Sequence, residues 1–170
     1  MIIKEIKKLP AFNERLLTIA DMGCGEALLA KHFKEIDSKI AVHSFDLVDS
    51  NEFITKASID NVPLEDNSCD LVVFCLSLMP TNLRDCIIEA NRIMKKKGVL
   101  YIAEVVSRFE ENNFKIFTNS MEQFGFQLKK QQTLQPDDYF VLFRFKKTSQ
   151  IEKIKGLPGI NLKPCKYKAR

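Results

Sequence analysis

The chain predicts an α/β fold, a doubly wound and mostly parallel sheet whose last strand is antiparallel. Three observations predict it. Apolar runs alternate with helical patterns through most of the 170 residues, and strand–helix alternation builds parallel sheets joined by right-handed crossovers. The run at 71–76 is continuously apolar rather than alternating, which suits a strand covered on both faces. The two final apolar runs are separated only by 133–138, with Pro136 in the turn. That is too short for a crossover helix and fits a closing hairpin.

Taken in order, strands are predicted at 17–22, 40–45, 71–76, 99–105, 127–131 and 139–145, and helices at 26–36, 82–94 and 112–124. The first strand ends in Asp21-Met22 and meets Gly23-Cys24-Gly25, the pattern of a buried strand turning sharply into a helix. Leu83, Ile87, Ala90 and Met94 recur at i, i+4, i+7 and i+11, one stripe of a helix. After it, Lys96 and Lys97 precede Gly98, and Lys97 is expected in a left-handed backbone position at a cost of about 1 kcal/mol.

The length suits one domain with a substantial core, expected over 1–147 and followed by a basic C-terminal tail over 148–170. Residues 146–163 read as a flexible basic linker broken by Gly156, Pro158 and Gly159. From Lys146 to Arg170 there are eight basic residues and one acid, Glu152, so the net charge of +4 divides into +7 here and −3 elsewhere. A basic tail on a mildly acidic body suits a polyanion such as nucleic acid. No apolar stretch approaches the roughly eighteen residues of a membrane span, and the apolar part of the N-terminus is too short for a signal peptide. An intracellular protein is expected, without membrane attachment. The five cysteines include no C-x-x-C pair, so neither a disulfide framework nor a metal site is expected.

The chemistry is concentrated at Gly23-Cys24-Gly25 and Asp46. Glycines there let the backbone approach a ligand closely, because no Cβ intervenes. Asp46 follows Gly25 by 21 residues, the spacing at which a second strand presents a carboxylate to ribose hydroxyls. The third glycine of G-x-G-x-x-G is replaced by Leu28. That disfavours a dinucleotide and an NAD-dependent reductase, and favours S-adenosylmethionine, which has no pyrophosphate to seat at the helix start.

Two further stretches resemble the methyltransferase superfamily: Val62-Pro63-Leu64-Glu65-Asp66-Asn67-Ser68-Cys69-Asp70, which leads into a strand, and Glu89-Ala90-Asn91-Arg92 through Ala103-Glu104. The strings Ala20-Asp21-Met22-Gly23-Cys24-Gly25-Glu26-Ala27, Val73-Phe74-Cys75-Leu76-Ser77-Leu78-Met79, Thr81-Asn82 and Ala103-Glu104-Val105-Val106-Ser107-Arg108-Phe109 narrow the likeness. Together with the ending Leu162-Lys163-Pro164-Cys165-Lys166-Tyr167-Lys168, they resemble the ribosomal RNA-processing protein 8 family, which includes nucleomethylin. The resemblance implies a Rossmann-like class I methyltransferase fold, S-adenosylmethionine as cofactor with S-adenosylhomocysteine as product, and a nucleolar role in ribosome biogenesis. It implies N1-methylation of an adenine in large-subunit rRNA, and partners among rRNA, rDNA chromatin and ribosome-assembly factors. An alternative is a cofactor-binding nucleolar adaptor for chromatin and rDNA silencing that turns over little. A small-molecule methyltransferase is a third reading, against which the basic tail argues.

Carried over by position, the family's cofactor contacts fall on Gly23, Asp46, Ser58, Ile59 and Cys75. Where the family has Asp-Met, this chain has Ser58-Ile59, and Pro80 replaces a glycine. An upstream Tyr-His-x-Gly-Phe stretch of the family has no counterpart here; the chain is therefore expected to lack a front segment and to bind or turn over more weakly. No base is expected among the catalytic residues, since neutral adenine offers an in-plane lone pair at N1. Ser77, Asn82 and Glu104 are the candidates to line the lip for the target base, with Arg108 on the same edge. Phe109 is a candidate for RNA stacking. Phe12, Phe33, Phe53, Phe74, Phe114, Phe117, Phe124 and Phe126 are expected in the core, and His32 and His43 as structural or surface residues.

Overall fold

In the computed structural model the described residues are 2–9, 16–36, 39–79, 81–109, 114–134 and 138–164. The expectations on Phe12, Pro80, Pro136 and the ending from Cys165 onward lie outside them. In chain order the elements are α1 (Ile2–Ile6), β1 (Leu17–Met22), α2 (Leu28–Ile36), β2 (Ile40–Asp46), β3 (Ile54–Lys56), β4 (Cys69–Cys75) and α3 (Leu83–Ile93). They continue with β5 (Met94–Val105), a 3-10 turn (Val106–Arg108), α4 (Lys115–Gln123), β6 (Phe126–Leu134) and β7 (Phe140–Lys147).

The seven strands form one sheet in the order β3-β2-β1-β4-β5-β7-β6. β1 pairs in parallel with β2 and β4, and β4 with β5, while β7 is antiparallel to both β5 and β6. The α/β class, the parallel core and the antiparallel end are those expected. Besides the 3-10 turn, one α-helix and one strand were not foreseen: α1, of five residues, and β3, of three. Both are too short to display a period.

Alternate residues of the central strands face opposite layers, which is why their sequences are almost continuously apolar. Ala20, Met22, Val72, Phe74, Leu100, Ile102, Phe143 and Phe145 pack with Leu83, Ile87 and Ala90 of α3 and Phe117 and Met121 of α4. On the other face Leu17, Ile19, Leu71, Val73, Tyr101 and Ala103 meet Ile2 and Ile6 of α1 and Leu29 and Phe33 of α2. The Tyr101 hydroxyl donates to Glu5 O at 3.3 Å, and Glu5 pairs with Lys130 at 3.1 Å. These contacts fasten α1 beside the sheet.

α3 ends at Ile93, one residue earlier than expected, because Met94 already has extended geometry at φ −82° and ψ 134°. Lys97 takes φ +68°, the left-handed position expected of it. Gly98 is required by proximity: a Cβ there would lie 2.5 Å from Met94 Cγ and 2.9 Å from Lys95 O.

The stretch expected to be a flexible linker is instead a packed strap. Residues 148–164 run without regular structure along α3 and α4, burying Ile160 and packing Ile151, Leu157 and Leu162 on the core. Their apolar side chains follow no period, so the lysines dominate the reading of the sequence. Asn91, fully buried in α3, donates to Phe124 O at 2.8 Å and Ser149 O at 3.0 Å, and accepts from the Ile151 N–H at 3.1 Å. Asn91→Ala should therefore lower stability by about 3 kcal/mol, since it removes three bonds and leaves the buried Phe124 carbonyl unsatisfied. Urea denaturation of the variant against the parent checks this.

Candidate active site

The chain builds outward from β1 to β2 and β3, then crosses to β4 and β5 on the other side. The C-terminal ends of β1 and β4 are neighbours, with Met22 paired to Phe74. Open α/β sheets bind ligands at such a reversal of strand order. A cavity of about 280 Å³ lies there, lined by Asp21, Gly23, Cys24, Leu28, Leu29, Val73 and Cys75, with Ile2 and Ile3 contributed by α1.

The floor of the cavity is a tight turn. The Gly23 and Cys24 N–H groups both donate to Phe45 O, at 2.8 and 3.0 Å. Gly23 has φ +74°, and a Cβ on it would lie 2.4 Å from Ser77 Cβ. Gly25 and Ala27 also have positive φ, at +57° and +55°, which delays the helix to Leu28 instead of the expected position 26.

Asp46 ends β2. Its Oδ2 accepts from the Gly25 N–H at 2.9 Å and its Oδ1 from the Val48 N–H at 3.3 Å. The carboxylate thus ties the second strand to the glycine turn, with each oxygen retaining a lone pair. Ala57 N–H donates to Asp46 O at 2.9 Å, which brings the turn carrying Ser58 and Ile59 next to Asp46. Ser58 bridges to Asn61, and the Ile59 side chain is buried in the core.

Asp21 is 5% exposed, and burial, reinforced by the charge on Asp46, pushes its carboxyl up to about 7. Desolvation by the cavity walls raises the half-buried Cys24 thiol to about 11 and pushes that of Cys75, which opens to solvent, upward, so neither is an activated nucleophile. Among the described residues no group of His, Cys, Asp and Glu could hold a metal ion.

The loop after β4 forms the rim. Leu76 has φ +58°, turning the chain so that Ser77 packs on Gly23. Asn82, just before α3, donates to Asp60, linking the rim to the turn that carries Ser58 and Ile59. Glu104 stands away from the surface expected for it: it is 0% exposed and paired with Arg108, itself 3% exposed, at 2.9 Å. Facing the α3 layer, its Oε1 accepts from the Leu78 N–H at 3.2 Å. Phe109 is buried too, with its ring 5.0 Å from Phe114 and 5.4 Å from Phe117. It is a core residue, not a stacking platform.

Gly23 and Cys75 thus share one cavity, Asp46 braces its floor, and Ser58 and Ile59 lie beyond Asp46. Sequence reasoning overlooked Ile2, Ile3, Asp21, Leu28, Leu29 and Val73 as lining residues. The only available signal was the acid immediately before the glycine turn.

A family model described as "Hypothetical methyltransferase" matches residues 1–170. The 25S rRNA (adenine(645)-N(1))-methyltransferase of Schizosaccharomyces pombe is 45% identical over 91% of this chain and 47% of its own length. Ribosomal RNA-processing protein 8 of Mus musculus is 39% identical over 99% of this chain and 35% of its own. The chain therefore spans between about a third and a half of the curated relatives it matches. A SAM-dependent methyltransferase from Aquifex aeolicus shares the fold with TM-score 0.64 at 15% identity, covering 86% of this chain and 88% of that one. A 16S rRNA (adenine(1408)-N(1))-methyltransferase variant from Catenulisporales acidiphilia does so with TM-score 0.61 at 15% identity, over 81% and 88%. The glycine turn, the braced Asp46 and the reversal of strand order thus sit in a chain that belongs to the ribosomal RNA-processing protein 8 family of methyltransferases.

Proposed function

We propose that this chain carries the catalytic domain of an S-adenosylmethionine-dependent enzyme that methylates N1 of an adenine in large-subunit rRNA, acting in the nucleolus during ribosome biogenesis. The observation that carries the reading is the 45% identity with an rRNA adenine-N1 methyltransferase over 91% of the chain. Ribosome-assembly factors and rDNA chromatin are the partners this reading entails.

The residues present fit the cofactor. A Cβ at position 23 would fill the bend under it, and the cavity combines apolar walls from Ile2, Leu29 and Val73 with one buried carboxyl, Asp21. A carboxyl so placed favours a cationic ligand, which would ionise it. Asp46 would accept from ribose hydroxyls, Cys75 and Val73 would wall the cleft, and Ser58 and the backbone of Ile59, whose side chain is in the core, would border the adenine. When bound, S-adenosylmethionine supplies an electrophilic methyl group on a positively charged sulfur.

Adenine N1 carries an in-plane lone pair, so the chain has no proton to remove first. Its residues have to orient the base and exclude water, for which good alignment supplies roughly 7–11 kcal/mol. Ser77 and Asn82 would border the target base on the rim. The inward-facing Glu104 agrees with this economy, since no carboxylate is needed as a base.

Calorimetric titration with S-adenosylhomocysteine tests the site separately from turnover. Asp46→Ala should weaken binding about 10- to 150-fold, for the loss of one charge-assisted hydrogen bond of roughly 1.5–3 kcal/mol. Unchanged affinity would remove Asp46 from the site. Mass spectrometry of N1-methyladenine in a large-subunit rRNA fragment incubated with the chain and cofactor tests the reaction; modification at another base atom overturns it.

A further inference from the structure

We propose that Arg108, paired with Glu104, is a positioning residue that couples the basic C-terminal strap to the loop presenting Ser77, so that RNA engaged by the strap sets that loop for methyl transfer. The proposal rests on the methyltransferase reading above.

The geometry is a bridge made by one side chain. Glu104 lies near the end of β5, and the 3-10 turn that follows brings Arg108 back over it at i+4. Arg108 Nη2 donates to Leu78 O at 2.6 Å, while Glu104 Oε1 accepts from the Leu78 N–H at 3.2 Å. Both backbone polar groups of Leu78 are therefore held by the pair. Leu78 sits between Ser77, which packs on Gly23 of the cofactor turn, and Met79 on the rim.

On its other side Arg108 Nε donates to Lys163 O at 3.0 Å, and the Lys163 N–H donates to Arg108 O at 2.8 Å. The strap exposes Lys153, Lys155 and Lys163 to solvent, where phosphates can reach them. Arg108 Nη1 lies 2.9 Å from Glu104 Oε2 but outside hydrogen-bond geometry. The contact with Glu104 is thus an ion pair, whereas the directed bonds go to Leu78 and Lys163.

Stability alone is a poor reason for this arrangement, because a buried ion pair gains little over an apolar pair of equal volume. Only the planar fork of arginine can donate in two fixed directions at once; lysine supplies a point charge. What the pair adds is a fixed position of residue 78 relative to residue 163.

The test uses the full chain with Arg108→Lys, Lys163→Pro and the double variant. Lys163→Pro deletes the N–H that bonds Arg108 O and touches no rim side chain. In both single variants the amides of Ser77, Leu78 and Met79 should exchange with deuterium about tenfold faster or more, since a bond of about 1.4 kcal/mol corresponds to a factor of ten. On an rRNA fragment, kcat should fall by about the same factor in each while S-adenosylhomocysteine affinity stays within about twofold. The double variant should be no worse than Arg108→Lys alone, the non-additivity of residues acting in one chain of contacts.

Unchanged rim exchange in Lys163→Pro overturns the proposal. So do additive losses, or cofactor affinity falling in step with kcat, which marks general loosening. Should Arg108→Lys fail to fold, the rim exchange of Lys163→Pro decides alone. If the parent neither binds the cofactor product nor methylates RNA, the methyltransferase reading fails, while rim exchange still reports on the bridge.

Discussion

Gly23→Ala is expected to lower the stability of the chain by about 2–5 kcal/mol and to abolish cofactor binding, the first part combining left-handed strain with overpacking. Two independent costs meet at this position. Its φ of +74° places any Cβ against the following carbonyl, and the added carbon would lie 2.4 Å from Ser77 Cβ. Ser77 cannot simply retreat, because Leu78 next to it is held at both backbone groups by Glu104 and Arg108. The strain therefore spreads into the floor and the rim of the cleft together. Gly25→Ala is the control, for it shares the positive φ of +57°, but its added carbon would meet nothing within 4 Å. It should cost about 1–2 kcal/mol, the backbone contribution alone. Urea denaturation and titration with S-adenosylhomocysteine read both variants, and equal losses would show that contact with Ser77 is unimportant.

Much of this site is legible in the sequence because its signals are local. The turn after β1 needs glycine for steric reasons, Asp46 stands where a second strand ends, and Lys97 occupies a position where glycine would be easier. The unread parts depend on contacts distant in the chain. α1 and β3 are too short to show a period, and α1 acquires its place only by packing on strands 10 or more residues away in the sequence. The strap holds Ile151, Leu157, Ile160 and Leu162 at irregular spacing among lysines, so its buried side becomes visible only against α3. Glu104 and Phe109 show the same limit: a strand-end acid and an aromatic beside an arginine read as surface groups. Their side chains turn inward because the layer beneath leaves room for an ion pair and for a cluster of rings.

Asp21 should make stability fall as pH rises from about 4 to 7. Its carboxyl is raised from 3.8 to about 7 by burial and, secondarily, by Asp46. Between those values the folded chain keeps a proton that the unfolded chain has released. The folded state therefore binds more protons, and the slope of unfolding free energy with pH is negative. The loss is on the order of 4 kcal/mol at most, about 1.4 kcal/mol for each tenfold difference in proton affinity between the two states. Asp21→Asn keeps a neutral group in the same place, so it should match the parent near pH 4 and exceed it at pH 8. Comparing the two profiles cancels the titration of the other carboxylates, and the Cys24 thiol, raised to about 11, stays neutral throughout. Ligand binding should run the other way. A cation seated beside Asp21 favours the carboxylate, so binding near pH 6 should expel a proton, and affinity should climb with pH before levelling above about 7. Calorimetry in two buffers of different ionisation enthalpy counts that proton. Binding of S-adenosylmethionine without proton release, in a parent whose stability nonetheless falls over the same interval, would place the cationic end of the ligand away from Asp21.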